Sequence, residues 1–314
     1  MPTPKDIPTA VVFAYSEVGV RCLQALLESG VHVPLLFSHE DDPLESRWYG
    51  SVVELARSHR VPVVTPEDPN TESWAKVVTD LRPDFVFAFY YRHMLGEPLL
   101  SSAARGALNM HGSLLPKYRG RAPVNWAIIR GERETGATLH YMVAKPDAGP
   151  VVGRQAVPIA INDTALDVSL KVAAAAGSLL RRSVPELIAG CAAAEALDLS
   201  AGSYFGRRRP QDGAIDWRET ALSVHNLIRG VAPPFPGAFS ALQGRKMRVL
   251  GSRFHDQPGV HADMSPCLYV EGARFYVDCI DNSRIELTGI EIDGAELSPS
   301  QFAAMFGARP VQLI

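Results

Sequence analysis

The stretch "TAVVFAYSEVGVRCLQALL" (residues 9–27) decides the fold. Thr9 to Tyr15 form a short run of β-branched, small and aromatic apolar residues. The chain then passes without a linker into a pattern whose apolar positions recur at helical spacing through Leu27. An apolar strand feeding directly into an amphipathic helix reads as the first βα unit of a layered sheet. The alternation repeats. "VHVPLLFS" (31–38) precedes a helical pattern from Tyr49 to Ser58, a second pattern from Trp74 to Leu81 precedes "RPDFVFAFYY" (82–91), and "GALNMH" (106–111) supplies a further strand. This order predicts an α/β class, a mostly parallel sheet with helices on both faces. In such sheets ligands bind beyond the carboxyl ends of the strands.

Further along, "PVNWAIIRG" reads as a short helix with Pro123 near its start and Gly131 just past its end. "TGATLHYM" reads as a strand, and "DAGPVVGRQAVPI" as a turn leading into another. A long helix follows, with Thr164 and Asp167 as a capping box and Pro185 expected to break or kink it. Composition shifts near "SYFGRRRPQDGAIDW" (203–217). Beyond it come one helix ("ALSVHNLIRGV"), a Pro-rich turn ("APPFPGAFS") and several short strands ("KMRVLGSRF", "CLYV", "RFYVDCI", "RIELTGI"). The expected division is therefore residues 1–205 and a smaller β-rich domain, 206–314, built as a compact barrel.

With 314 residues, 46% hydrophobic and 21% charged, the chain can bury a core without staples. A formal net charge of −3 gives no general footprint for nucleic acid or anionic membrane. Cys22, Cys191, Cys267 and Cys279 are scattered, without metal-site or disulfide spacing, and read as reduced thiols. The N-terminus lacks a secretory pattern and no segment has the apolar length of a membrane span, so the expected location is the cytosol, with no membrane partner. There is no G-x-G-x-x-G after the first strand, no Walker A loop, no H-E-x-x-H and no G-x-S-x-G around Ser113. Nicotinamide dehydrogenase, ATPase, zinc hydrolase and serine esterase all lose weight.

Chemistry concentrates in "LNMHGSLLPKYRGRAP" (108–123). Asn109 and His111 are two positions apart, so on a strand their side chains share a face. Asp147, in "KPDAGP", is the best candidate for an acid that meets them. Singly, these residues read as a strand-end cap, a hydrogen-bonded core histidine and an Asx turn. Together, beside a Gly- and Pro-rich loop, they favour a site.

The string "NMHGSLLPKYRGRAPVNWAI", followed by "ETGATLH" and "DAG", resembles the 10-formyltetrahydrofolate-dependent formyltransferases, marked by an Asn-x-His pair, a Ser-Leu-Leu-Pro loop and a distal Asp. The likeness is strongest to the ArnA-type branch, which formylates UDP-4-amino-4-deoxy-L-arabinose in lipid A modification and polymyxin resistance. It extends through "VVFAYSEVG", "WYGSVVELA", "FAFYYRHML", "YFGRRRPQDGAIDW" and "VHNLIRGVAPPFPGAFS". The resemblance implies a Rossmann-like domain followed by a C-terminal barrel, and 10-formyltetrahydrofolate as formyl donor with no metal. It implies that His111 is the acid/base group, that Asn109 hydrogen-bonds the developing oxyanion, and that Asp147 orients His111 and raises its pKa. For the folate it implies contacts from His93, Met94, Leu95, Arg121 and the segment Val143, Ala144, Lys145, Pro146, Asp147. Lys117, Arg119, Arg207, Arg208 and Arg209 are candidate contacts for the diphosphate of a UDP-linked amino sugar. The chain ends at Ile314, so the decarboxylase of ArnA is expected on a separate protein.

The alternatives are methionyl-tRNA formyltransferase, an N-formyltransferase for another nucleotide amino sugar, and a non-catalytic binding module. Against tRNA stand the short acidic stretch "SHEDDPLESRWYG" (38–50), where a basic insertion is usual, and His111-Gly112-Ser113 in place of His-Ala-Ser.

Overall fold

A parallel ladder forms around the opening stretch, as expected from the alternation of apolar strands and amphipathic helices. The structure is a computed structural model, described here for residues 7–40, 47–261 and 266–313. Residues 41–46, the centre of the acidic stretch, lie outside the described residues. The chain divides into two compact units. One holds residues up to Pro123, Thr135–Val157 and Ser169–Gly206; the other holds Val124–Glu134, Pro158–Val168 and Arg207 onward.

In the first unit β1 (Thr9–Ala14) leads into α1 (Ser16–Glu28), β2 (His32–Phe37), α2 (Val52–Ser58), β3 (Val63–Val64), α3 (Glu72–Leu81) and β4 (Phe85–Phe89). α4 (Glu97–Leu100), β5 (Ala107–His111) and β6 (Arg119–Gly120) follow. After α5 (Pro123–Ile129), which belongs to the second unit from Val124 on, come β7 (Glu134–Tyr141), β8 (Val151–Pro158), α6 (Ala165–Ala189), whose first turn also belongs to the second unit, and β9 (Tyr204–Phe205). The main sheet has the order β3-β2-β1-β4-β5-β7-β8. Pairing is parallel from β3 to β5, and β7 joins β5 antiparallel. The strand order reverses between β1 and β4, the position where open sheets leave a crevice. Burial on both faces explains why these strands read as continuous apolar runs: Val11, Val12 and Phe13 are all fully enclosed. Phe13 stacks on Phe37 with ring centroids 4.3 Å apart.

Two helices differ from the sequence reading. α2 starts at Val52, because the Ser51 side chain accepts the Glu54 N–H and caps the helix there. Pro185 does not end α6, which runs on to Ala189. Val184 and Leu187, on either side of the proline, are both buried, and that packing holds the last turn despite the missing backbone donor. The capping box at the other end forms: Thr164 Oγ1 accepts the Asp167 N–H, and Asp167 Oδ2 accepts the Thr164 N–H at 2.9 Å.

The second unit contains α7 (Ala221–Val231) and then β10 (Ala238–Leu242), β11 (Arg245–Pro258), β12 (Cys267–Glu271), β13 (Arg274–Asp278), β14 (Ser283–Ile292), β15 (Ala295–Glu296), α8 (Pro299–Phe306) and β16 (Val311–Gln312). Its strands form a curled antiparallel sheet, a half-barrel, in the order β10-β11-β14-β13-β12-β16. Fully buried Trp217 donates its indole N–H to Ser240 and packs among Val224, Ile228, Val249, Ile285 and Ile290.

Candidate active site

The site is built at the end of β5. Its antiparallel partner β7 places His140 directly opposite Asn109. The loop after His111 is tied to the same strand: Thr138 Oγ1 donates to the Ser113 carbonyl at 2.6 Å and accepts the Leu115 N–H at 3.1 Å. Ser113 Oγ in turn donates to the Lys117 carbonyl at 2.6 Å. These bonds fold the loop back so that the Tyr118 carbonyl lies 2.8 Å from His111 Nε2. A carbonyl only accepts, so Nε2 carries the proton and neutral His111 presents a lone pair at Nδ1.

Asp147 completes the cluster from the turn between β7 and β8. Its backbone is left-handed, with φ +48°. Its Oδ2 accepts the Gly120 N–H at 2.8 Å. Its Oδ1 faces His111 Nδ1 at 3.5 Å, His140 Nε2 at 3.6 Å and Asn109 Nδ2 at 3.4 Å. Gly120 has no side-chain alternative. Its φ is +97°, and a Cβ there would run into the Phe205 carbonyl across the β6–β9 pair.

His140 was absent from the sequence reading. Its Nδ1–H donates to the Tyr141 carbonyl at 2.8 Å, which leaves Nε2 to accept the Asn109 Nδ2–H at 3.1 Å. The Asn109 amide is thereby oriented by two acceptors, an imidazole lone pair and a carboxylate. A polar titratable residue in the otherwise apolar strand "GATLH" was the available signal, but the strand register that sets it against Asn109 is not written in the sequence.

Charges are settled by burial and mutual contact. Burial opposes ionisation of Asp147, but the facing His111, the His140 contact and the Gly120 N–H together bring it down to about 2. For His111 burial is the larger effect and holds the imidazole below its usual value. The Asp147 charge acts in the opposite direction without overcoming that burial. At neutral pH the pair is a carboxylate beside a neutral imidazole, a base with a counter-ion already in place.

A cavity of about 390 Å³ opens on this cluster. Asn109, His111 and Asp147 all line it. So do His93, Met94, Leu95, Arg121, Val143 and Pro146 from the expected folate contacts, while Ala144 and Lys145 sit on the same loop without lining it. Arg121 reaches the Arg92 carbonyl at 3.3 Å. Leu100, Met110 and Met142 give the cavity apolar walls. Tyr90 and Ala122 also line it, both in the left-handed region, so three non-glycine residues including Asp147 hold strained backbone around one cavity. Of the candidate diphosphate contacts, Lys117 and Arg119 belong to the first unit and Arg207, Arg208 and Arg209 to the second. Arg119 is buried, with Nε unpartnered among the described residues. Arg208, in the second unit, lies over the Trp126 ring and donates to the Asp212 carbonyl.

Among the described residues, no helix is long and apolar enough to cross a membrane, and no group of His, Cys, Asp and Glu could hold a metal ion. Residues 10–184 match the formyl transferase family model, and residues 208–307 match the formyl transferase C-terminal domain. Among solved structures the chain is similar to an N-formyltransferase from Helicobacter canadensis in complex with folinic acid and dTDP-3-aminofucose. That likeness has 20% identity and a TM-score of 0.71, over 90% of this chain and 98% of that one. The sugar 3N-formyltransferase WlaRD, solved with dTDP and 5-N-formyl-THF, gives 18% identity and a TM-score of 0.69, over 90% and 97%. HypX from Aquifex aeolicus, in complex with tetrahydrofolic acid, gives 14% and 0.65, over 95% of this chain and 48% of that one. Similarity at these identities establishes a common fold.

Proposed function

The chain belongs to the formyl transferase family, and on that premise we propose that it transfers the formyl group of 10-formyltetrahydrofolate to the 4-amino group of UDP-4-amino-4-deoxy-L-arabinose. The product would serve lipid A modification and polymyxin resistance. The observation that carries the reading is the convergence of Asn109, His111 and Asp147 at one cavity, with His111 neutral and its Nδ1 lone pair beside an ionised carboxylate. The solved relatives bound to folates and to a dTDP-linked amino sugar support the donor class and the acceptor class. The closer match to the ArnA-type sequence supports UDP and the 4-amino pentose.

The cavity fits the donor. Its volume is within the usual range for small-molecule sites, its lining is largely apolar with a few polar side chains, and the loops at residues 92–95 and 142–147 both contribute to it. Bound there, the folate supplies an activated formyl carbon. His111 accepts at Nδ1 the proton released by the attacking amine, and holds it against Asp147 until the departing nitrogen takes it. The Tyr118 carbonyl keeps the other ring nitrogen protonated throughout, so only Nδ1 changes state. Asn109 stabilises the developing oxyanion with the N–H that now makes the longer bond, 3.4 Å to Asp147, while its shorter bond to His140 keeps the amide in place.

The test is an assay of the full chain with 10-formyltetrahydrofolate and, in parallel, UDP-4-amino-4-deoxy-L-arabinose, a dTDP-4-amino sugar and methionyl-tRNA, each acceptor analysed by mass spectrometry. Formylation of the UDP sugar well ahead of the others is expected. Formylation of methionyl-tRNA alone would refute the acceptor assignment and leave the catalytic trio in place.

A further inference from the structure

Tyr90 follows β4 in the left-handed region, at φ +57°, an unfavourable conformation for a bulky side chain. That backbone carries the phenol to the wall of the cavity that Asn109 and His111 share. Its hydroxyl lies against Gly112, the residue immediately after His111, so closely that it occupies the space a Cβ would need. Glycine at 112 is thus the condition for the tyrosine, and explains in physical terms why His-Gly-Ser stands here in place of His-Ala-Ser. The hydroxyl makes no hydrogen bond to a described residue. Burial, with Cys22 nearby, pushes its titration up, so it remains a neutral group able both to donate and to accept.

A strained backbone, a glycine that makes room and an unused hydroxyl beside the reacting histidine are costly features for a residue that only fills space. We infer that Tyr90 is an acceptor-binding residue, whose hydroxyl hydrogen-bonds the sugar hydroxyl next to the amine that is formylated. The inference rests on the proposed acceptor class and adds the group that orients it. A neutral, paired donor and acceptor suits a sugar hydroxyl, whereas the neighbouring Asn109 and His111 are engaged in the chemistry.

The experiment compares wild type with Tyr90→Phe on whichever nucleotide amino sugar wild type formylates, and on the analogue lacking the hydroxyl vicinal to the amine. Losing one neutral hydrogen bond should raise the acceptor KM about three- to tenfold, with folate affinity unchanged. The deoxy analogue should raise the wild-type KM by a similar factor, and combining analogue with Tyr90→Phe should add little more. An unaltered acceptor KM in Tyr90→Phe, or additive effects of variant and analogue, would overturn the inference while the proposed function stands. Weakened folate binding in Tyr90→Phe would assign the residue to the fold of the cavity and overturn it equally. No turnover by wild type with any amino sugar would overturn the function and the inference together.

Discussion

Replacing Asp147 by Asn removes a charge while keeping the shape of the side chain, and its effect can be worked from the distances. The carboxylate lies 3.5 Å from His111 Nδ1. At an effective dielectric of about 20, unit charges at that separation interact by roughly 4–5 kcal/mol. Screening and relaxation leave only part of that interaction, and what remains acts on the His111 titration. The sign is fixed: the carboxylate favours the imidazolium, so its loss lowers the His111 pKa, which burial already holds below the ordinary value. In the proposed mechanism His111 acts as a base in its neutral form, and the acid limb of kcat/KM in the free enzyme reports that ionisation. Asp147→Asn should therefore move the acid limb to lower pH, and lower the plateau rate because the imidazolium formed during reaction loses its partner. The assay is formyl transfer from pH 4.5 to 9, with the His111 ring resonance followed by NMR. An acid limb that stays in place or moves upward would refute the reasoning.

Asn109→Ala should lower kcat about 10²–10³-fold while folate affinity, measured by calorimetry, stays near wild type; an unchanged kcat would remove the amide from the oxyanion role. Gly120→Ala forces a side chain into a left-handed position and against the Phe205 carbonyl, and should cost about 1–3 kcal/mol, read as a melting point lower by several degrees. In the second unit His225 is wholly buried, donating from Nε2 to the Ile161 carbonyl and accepting at Nδ1 from Ser252, and burial brings it down to about 4. A depressed imidazole binds fewer protons folded than unfolded, so stability is lost as pH falls from about 6.5 towards 4, by about 3 kcal/mol from this residue. Melting points of wild type and His225→Gln across that range should show a shallower decline in the variant; parallel curves would contradict it.

Legibility followed the range of the interactions. The strand and helix order of the first unit was readable because each strand is enclosed on both faces and each helix shows its own apolar stripe, both local properties. Asn109 and His111 were readable because two-residue spacing on a strand puts them on one face. His140 was not, since its place opposite Asn109 depends on the β5–β7 register. Tyr90 was hidden for a related reason: an aromatic at the end of an apolar strand looks like core until its left-handed backbone is known. The composition shift near residue 205 coincides with the last crossing between the two units, whereas the excursions Val124–Glu134 and Pro158–Val168 into the second unit carry no compositional signal. Pro185 misled because propensity counts the missing donor and not the buried Val184 and Leu187 that hold the helix together. The direction of the His111 shift required burial, which a motif does not record.

The central claim is that one cavity, through His111, moves a formyl group from the folate nitrogen to an amine. The most direct measurement is a single-turnover reaction with formyl-¹³C-labelled 10-formyltetrahydrofolate and UDP-4-amino-4-deoxy-L-arabinose, comparing wild type with His111→Ala by NMR of the labelled carbon. The account predicts that the label appears as an N-formyl group on the sugar with wild type, and at a rate at least about 10²-fold lower with His111→Ala, which still binds folate. Equal rates of label transfer in the two proteins would contradict it.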